Sequence, residues 1–241
     1  MGMADREPPG WHGKLPSLGD FASRRLAPAF LATWDTWLAS GLQQLRERQP
    51  DQWLEAYLAS PTRRFLLMPG ALPGEAGQQA WAGVLMPSVD RVGRYFPFTV
   101  VQPLAPMPAS VQQMQSLWHW LGRLDELAAD ALHEDWPIDR LEDELARMAG
   151  PDLLTLAPAT GSLPLAPGGL VALDLPAGLD VARHIGIEAQ ALWQQQARGL
   201  GYWYAHPDLQ APCLWVSRGL PASAAALLGA TIGPAQPPHT P

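Results

Sequence analysis

Two apolar runs facing each other across a charged turn constrain this chain more than any other feature. Trp81–Met86 is apolar and β-compatible, Tyr95–Val101 is aromatic and β-branched, and Pro87 and Gly93 punctuate the connection between them. The pattern predicts two strands joined by a reversal, both buried on both faces. Asp90, Arg91 and Arg94 fall inside that reversal. One reading is an internal network, because a buried carboxylate must be paired and a guanidinium offers bidentate geometry. The other is a presented site, with Arg and Tyr95 as interface anchors on a rigid turn.

The remaining elements read as layers around that hairpin. Residues 27–48 predict a helix, with Pro28 in its first turn and Phe30, Leu31, Trp34, Trp37, Leu38, Gly41, Leu42 and Leu45 on one face. Asp35 borders the stripe, where a carboxylate commonly tethers a neighbouring Arg. Asp51 is placed to cap a second, shorter helix through Leu58. Residues 63–68 read as a strand and 69–78 as a Gly- and Pro-rich loop. A long helix over 109–133 and a third opened by Trp136-Pro137 follow, ended by Gly150-Pro151. Residues 151–169 predict an irregular crossing segment, with a short strand over 169–175 and a helix from Asp180 to Arg198 stopped by Gly199. Residues 201–204 and 212–216 read as two paired strands, and 221–228 as a last helix.

Gly10 to Phe21 is dense in Gly and Pro and predicts a short strand at Trp11 followed by a shaped loop. It lacks the spacing and the Gly-Lys-Ser/Thr end of a phosphate-binding loop; Asp20 there reads as a turn cap or an Arg partner. Residues 1–9 are expected to be a loose head and 233–241 a proline-rich disordered tail. The fold class is α/β: one domain over 10–232, with a central mixed sheet flanked by helices on both faces in three layers.

Composition narrows the function. A net charge of −7 argues against general nucleic-acid binding, and Lys14 is the only lysine against fifteen arginines. The one cysteine, Cys213, allows neither a disulfide framework nor a thiolate metal site. The N-terminus lacks a secretory pattern, Arg6 stands where myristoylation needs Ser or Thr, and no apolar run reaches membrane-span length. The expectation is a cytoplasmic protein.

No catalytic signature emerges. The six histidines, His12, His119, His133, His184, His206 and His239, show no metal-ligand spacing, and no cofactor is expected. Ser88 with Asp90 lacks the Gly-x-Ser-x-Gly elbow, and serine there caps the turn more simply. Asp20, Asp35 and Asp90 form a possible carboxylate cluster, but Arg24, Arg91 and Arg94 in the same motifs favour ion pairing. The alternative kept open is a hydrolase or nucleotide-binding enzyme built on Asp20, Asp90, Arg91 and Arg94. Among the eleven tryptophans, Trp203 lies between two tyrosines and would face a partner if its strand is an edge.

Gly10-Trp11-His12-Gly13-Lys14-Leu15-Pro16, Gly19-Asp20-Phe21, Trp34-Asp35-x-Trp37-Leu38 and the string Gly83 to Pro97 containing Ser-Val-Asp-Arg-Val-Gly-Arg-Tyr-Phe-Pro carry a resemblance. In order over residues 10–102, they resemble the TagF (ImpM) family, accessory proteins of bacterial type VI secretion. Tyr202-Trp203-Tyr204 and Arg218-Gly219-Leu220-Pro221 are similar to that family's C-terminal region; His12 departs from its usual aromatic. The resemblance implies a non-enzymatic, post-translational repressor of secretion. It implies as partner the forkhead-associated (FHA) scaffold of the apparatus, at its inner-membrane complex, with a functional link to a Ser/Thr kinase and phosphatase. The family motifs make Lys14, Asp20, Phe21, Arg24, Asp35, Ser88, Asp90, Arg91, Arg94, Tyr95 and Trp203 the candidate partner-surface residues.

Overall fold

The computed structural model describes residues 7–105, 107–108, 110–148, 150–151, 153, 192–205 and 213–229. The strands are β1 (Gly10–Lys14), β2 (Phe21–Arg24), β3 (Arg63–Leu67), β4 (Ala80–Met86), β5 (Phe98–Leu104), β6 (Leu200–Ala205) and β7 (Cys213–Arg218). The helices are α1 (Pro28–Arg48), α2 (Trp53–Leu58), α3 (Val111–His133), α4 (Ile138–Arg147) and α5 (Ala225–Leu228), with a 3-10 turn at Gly74–Gln78.

The strands form one seven-stranded sheet in the order β2-β1-β5-β4-β3-β6-β7. Every neighbouring pair is antiparallel, which corrects the expected mixed sheet. A parallel pair needs a crossover returning to an adjacent strand. Here α1 and α2 carry the chain from β2, at one edge, to β3, four places away. Antiparallel hairpins supply β1-β2, β4-β5 and β6-β7 instead.

Period-two alternation divides the core. Trp81 and Leu85 of β4 join Phe65 and Leu67 of β3 in the cluster under α1, whereas Ala80, Ala82, Val84 and Met86 join Leu66 in the cluster under α3 and α4. Helices therefore cover both faces of a sheet whose central strands are apolar throughout, as the sequence of β4 required. Helix α1 buries Phe30, Trp34, Leu38, Gly41, Leu42 and Leu45, each large side chain contributing roughly 1.5–3 kcal/mol of transfer free energy.

Several local expectations need adjusting. Phe21, at the end of the stretch read as loop, opens β2, and residues 22–24, which lie outside every expected element, complete it. Helix α2 starts after Gln52 with no side-chain cap, so Asp51 does not serve, and the last helix covers only Ala225–Leu228. Strand β5 runs on through Pro103, which lies beyond the last residue paired to β1, Val101; there the missing N–H costs no ladder bond to β1. Gly199 ends the preceding helical residues with a φ of +79°, as a C-terminal glycine should. The head up to residue 6, most of the 151–169 segment, the 169–175 strand, the start of the helix from Asp180, the 233–241 tail, and His184, His206 and His239 lie outside the described residues. Among the described residues, no helix is long and apolar enough to cross a membrane.

Candidate functional site

The reversal between β4 and β5 is built around one carboxylate. After β4, Pro87 and Ser88 leave the sheet, and Val89 and Tyr95 form an isolated antiparallel bridge that closes the turn. Gly93 takes a φ of +82° inside it, where a side chain would be strained. Asp90 points inward with its side chain inaccessible to solvent. Its Oδ2 accepts from Lys14 Nζ at 2.6 Å and Arg94 Nε at 2.8 Å. Its Oδ1 accepts from the backbone N–H groups of Val92, at 3.1 Å, and Arg94, at 2.9 Å. Burial by itself would raise the Asp90 pKa; bonds from Lys14, the Arg94 backbone and guanidinium, and the Val92 backbone outweigh it and hold the group far below the usual carboxylate range.

The network pins three pieces of chain. Arg94 Nη2 also donates to the carbonyl of Gly19, and the Arg91 N–H donates to the carbonyl of Leu18 at 2.9 Å, so the 15–20 loop lies against the turn. Ser88 Oγ donates to the Lys14 carbonyl at 2.7 Å. Tyr57, from α2, donates to the Ser88 carbonyl at 3.0 Å and accepts its N–H at 2.8 Å. Burial raises the Tyr57 pKa, with the Ser88 N–H and Arg46 opposing, so the phenol stays neutral and keeps both bonds.

Beside the network is an aromatic patch at the sheet edge. Phe21, 47% exposed, stacks on His12 at 6.3 Å and meets Phe96 edge-on at 4.8 Å between ring centroids. Lys14 Nζ stands 4.1 Å from the Phe21 ring centre. His12 is buried, and its Nε2 is 3.1 Å from Asp35 Oδ1 on α1. The tether at Asp35 is thus a histidine rather than the expected arginine, because β1 brings residue 12 under the helix.

The predicted residues separate by exposure. Lys14, Ser88, Asp90 and Trp203 are buried and hold the fold together. Trp203 is not at an edge: β6 lies between β3 and β7, and the indole is fully buried among Trp34, Trp37 and Phe65, its Nε1 donating to Ser217 Oγ at 3.0 Å. That removes it from the candidate partner surface. Tyr95 is half-buried against Trp53 and Tyr57. Asp20, Phe21, Arg24, Arg91 and Arg94 are exposed. Asp20 Oδ1 accepts the Phe21 N–H at 2.8 Å and lies 3.9 Å from Arg94. Arg91 contributes only its backbone to the network, so the expected pairing of both arginines with Asp90 holds for Arg94 alone. Sequence reasoning missed His12, Tyr57 and Phe96. For Tyr57 the one available signal was a phenol on an apolar helix face, which needs a buried partner.

Chemically, four donors occupy the acceptor positions of an ionised carboxylate, so Asp90 has none left for a substrate or a metal. Among the described residues, no three His, Cys, Asp or Glu side chains converge as a metal site.

Against known proteins, the family "TagF N-terminal domain, type VI secretion system-associated" matches residues 10–148. The chain is also similar to the crystal structure of PA0076 from Pseudomonas aeruginosa PAO1: 30% identity, 95% of this chain and 98% of that one covered, TM-score 0.69. No curated protein matches.

Proposed function

The chain belongs to the TagF family of type VI secretion-associated proteins, and on that premise we propose that it is a non-enzymatic repressor of that machine. In this reading it acts after translation in the cytoplasm. It binds the FHA-type scaffold, is drawn with it to the inner-membrane complex, and works alongside the kinase and phosphatase of the threonine-phosphorylation pathway. The observation that carries the reading is the family match over residues 10–148. It is supported by the way the most charged motif is consumed: Lys14, Asp90 and the Arg94 Nε satisfy one another inside the fold, leaving recognition to exposed Arg and aromatic groups.

Two measurements test it. Purified chain and scaffold should co-elute, and overproduction of the chain in a secreting strain should reduce release of the tube protein. Retention of neither scaffold nor secretion block by a folded chain would reject the assignment. Phosphoester or peptide turnover that vanishes on Asp20→Asn would favour the hydrolase alternative.

A further inference from the structure

The sheet is open at both ends among the described residues: β2 pairs only with β1, and β7 only with β6. An open edge presents unpaired N–H and C=O groups that a partner strand can use. The two edges differ in what surrounds them. Strand β7 exposes Leu214 and Val216 with no charge pattern that selects an occupant. Strand β2 is bordered by guanidiniums in a chain whose net charge is −7.

Phe21 opens β2, half-exposed and already immobilised between His12, Phe96 and Lys14; an anchor fixed before binding loses little entropy on contact. Arg24 closes the strand and is exposed; its guanidinium donates to the neighbouring Ser23 carbonyl at 2.9 Å, stands 5.9 Å from the Trp11 ring centre and feels the charge of Glu142. Arg94 keeps 54% of its side chain exposed while Nε serves Asp90. Arg91 is exposed, and among the described residues its guanidinium has no hydrogen-bond or ion-pair partner. Val92, 65% exposed, adds an apolar contact on the same turn. Between β2 and the start of α4, Leu18, Asp20, Phe21, Ala22, Arg24 and Ile138 line a shallow hollow. Two carboxylates of the fold border this strip among the described residues: Asp20, which faces Arg94, and Glu142, which Arg25 engages and whose charge Arg24 also favours.

From this arrangement we infer that β2 is the docking edge for an acidic, extended segment of a partner protein, which joins the sheet as an eighth strand. Backbone bonds to β2 give affinity. One apolar side chain of the segment packs on Phe21 on the α1 face, and a carboxylate at an alternate position meets Arg24 on the opposite face. An acid at the end of the segment beside the turn meets Arg91, with Arg94 exchanging Asp20 for it. Strand β2 is four residues long, so the segment is short and the charges decide which sequence is accepted. The inference rests on the reading of the chain as a binding protein and names the chemistry of its partner.

The test has two arms, both on the full chain. In the first, the FHA-type scaffold is titrated into the unaltered protein, Phe21→Ser, the pair Arg24→Glu/Arg91→Glu, and Arg48→Glu as a charge control at the end of α1. Affinity should fall at least tenfold in the first two variants and not in the control, at unchanged melting temperature, and should weaken with salt in the unaltered protein. In the second, hydrogen exchange of the β2 amides is followed with a ten-residue peptide of alternating Glu and Val, or of Lys and Val. The Glu peptide should slow exchange at β2 and the Lys peptide should not. Equal scaffold binding by the double variant overturns the inference and leaves the proposed function standing. Failure of the unaltered protein to bind scaffold, with β2 still protected by the Glu peptide, rejects the function and keeps the docking edge. No protection by the Glu peptide, or protection only by phosphatidylglycerol vesicles, overturns the edge assignment.

Discussion

Asp90 is the residue on which the turn depends most. Asp90→Ala removes the acceptor for four donors and leaves the buried Lys14 ammonium without its partner. Breaking a buried pair from one side costs far more than losing a surface one, so the melting temperature should fall by roughly 10 °C. Glu47→Ala, on the exposed face of α1, should shift it by less than about 2 °C. An unchanged melt for Asp90→Ala would refute the buried network. The same carboxylate predicts acid sensitivity. Its folded pKa lies below its unfolded value, so its stabilisation is complete above about pH 4 and is lost as pH falls from there toward the folded value. Glu142 is held low in the same sense: burial opposes, but Arg25 and Trp11 bond its charged form. Melting temperature recorded from pH 7 to 2.5 should drop below about pH 4, and less steeply in Asp90→Asn. A parallel pH profile for that variant would show that Asp90 contributes nothing to the acid limb. The sequence showed that these charges lie together; it did not show that Arg94 enters the pair and Arg91 stays out. That choice depends on side-chain direction within one turn.

Among the elements, α1 has the most demanding contact. Gly41 faces α5, and a Cβ there would come 2.4 Å from Ala224 Cβ and 2.8 Å from Ala225 N. In an open helix Gly→Ala stabilises by about 1 kcal/mol. Here overpacking against backbone costs about 1–3 kcal/mol and reverses the sign, so Gly41→Ala should lower the melting temperature by a few degrees; a rise would mean that α5 moves away at no cost. Both long helices and the β4–β5 pair were legible because their periods and turn residues are read within a few positions, although β5 starts at Phe98 and not at the expected Tyr95, which closes the turn by bridging Val89. Strand β2 was not: Phe21–Arg24 has no alternation of its own, and becomes a strand because β1 offers an edge from Trp11 to Lys14. The expected cap at Asp51 failed because helix α2 begins one residue later, at Trp53, which puts Gln52 in the cap position.

For the whole molecule, the family match ends at residue 148, but the sheet does not. Strand β3 bonds β6 along its length, from Arg63↔Ala205 to Leu67↔Gly201, and Trp203 fills the cluster under α1. A chain cut after Met148 should therefore lose cooperative melting, exposing one side of β3 and the pocket Trp203 occupied. A sharp transition near that of the full chain would show residues 10–148 to be self-sufficient. By itself, the sequence determined what is local: the helices, the apolar strands, the charged turn, and a motif string specific enough to place the chain in its family. Only the tertiary structure decided strand order and direction, the partner of Asp35, the burial of Trp203, and which arginines remain at the surface. The physical reason is separation. Lys14 meets Asp90 across 76 positions and Trp11 meets Glu142 across 131, and no periodicity or turn signal reaches that far; packing alone brings such residues together, and burial then dictates which charges must be satisfied within the fold.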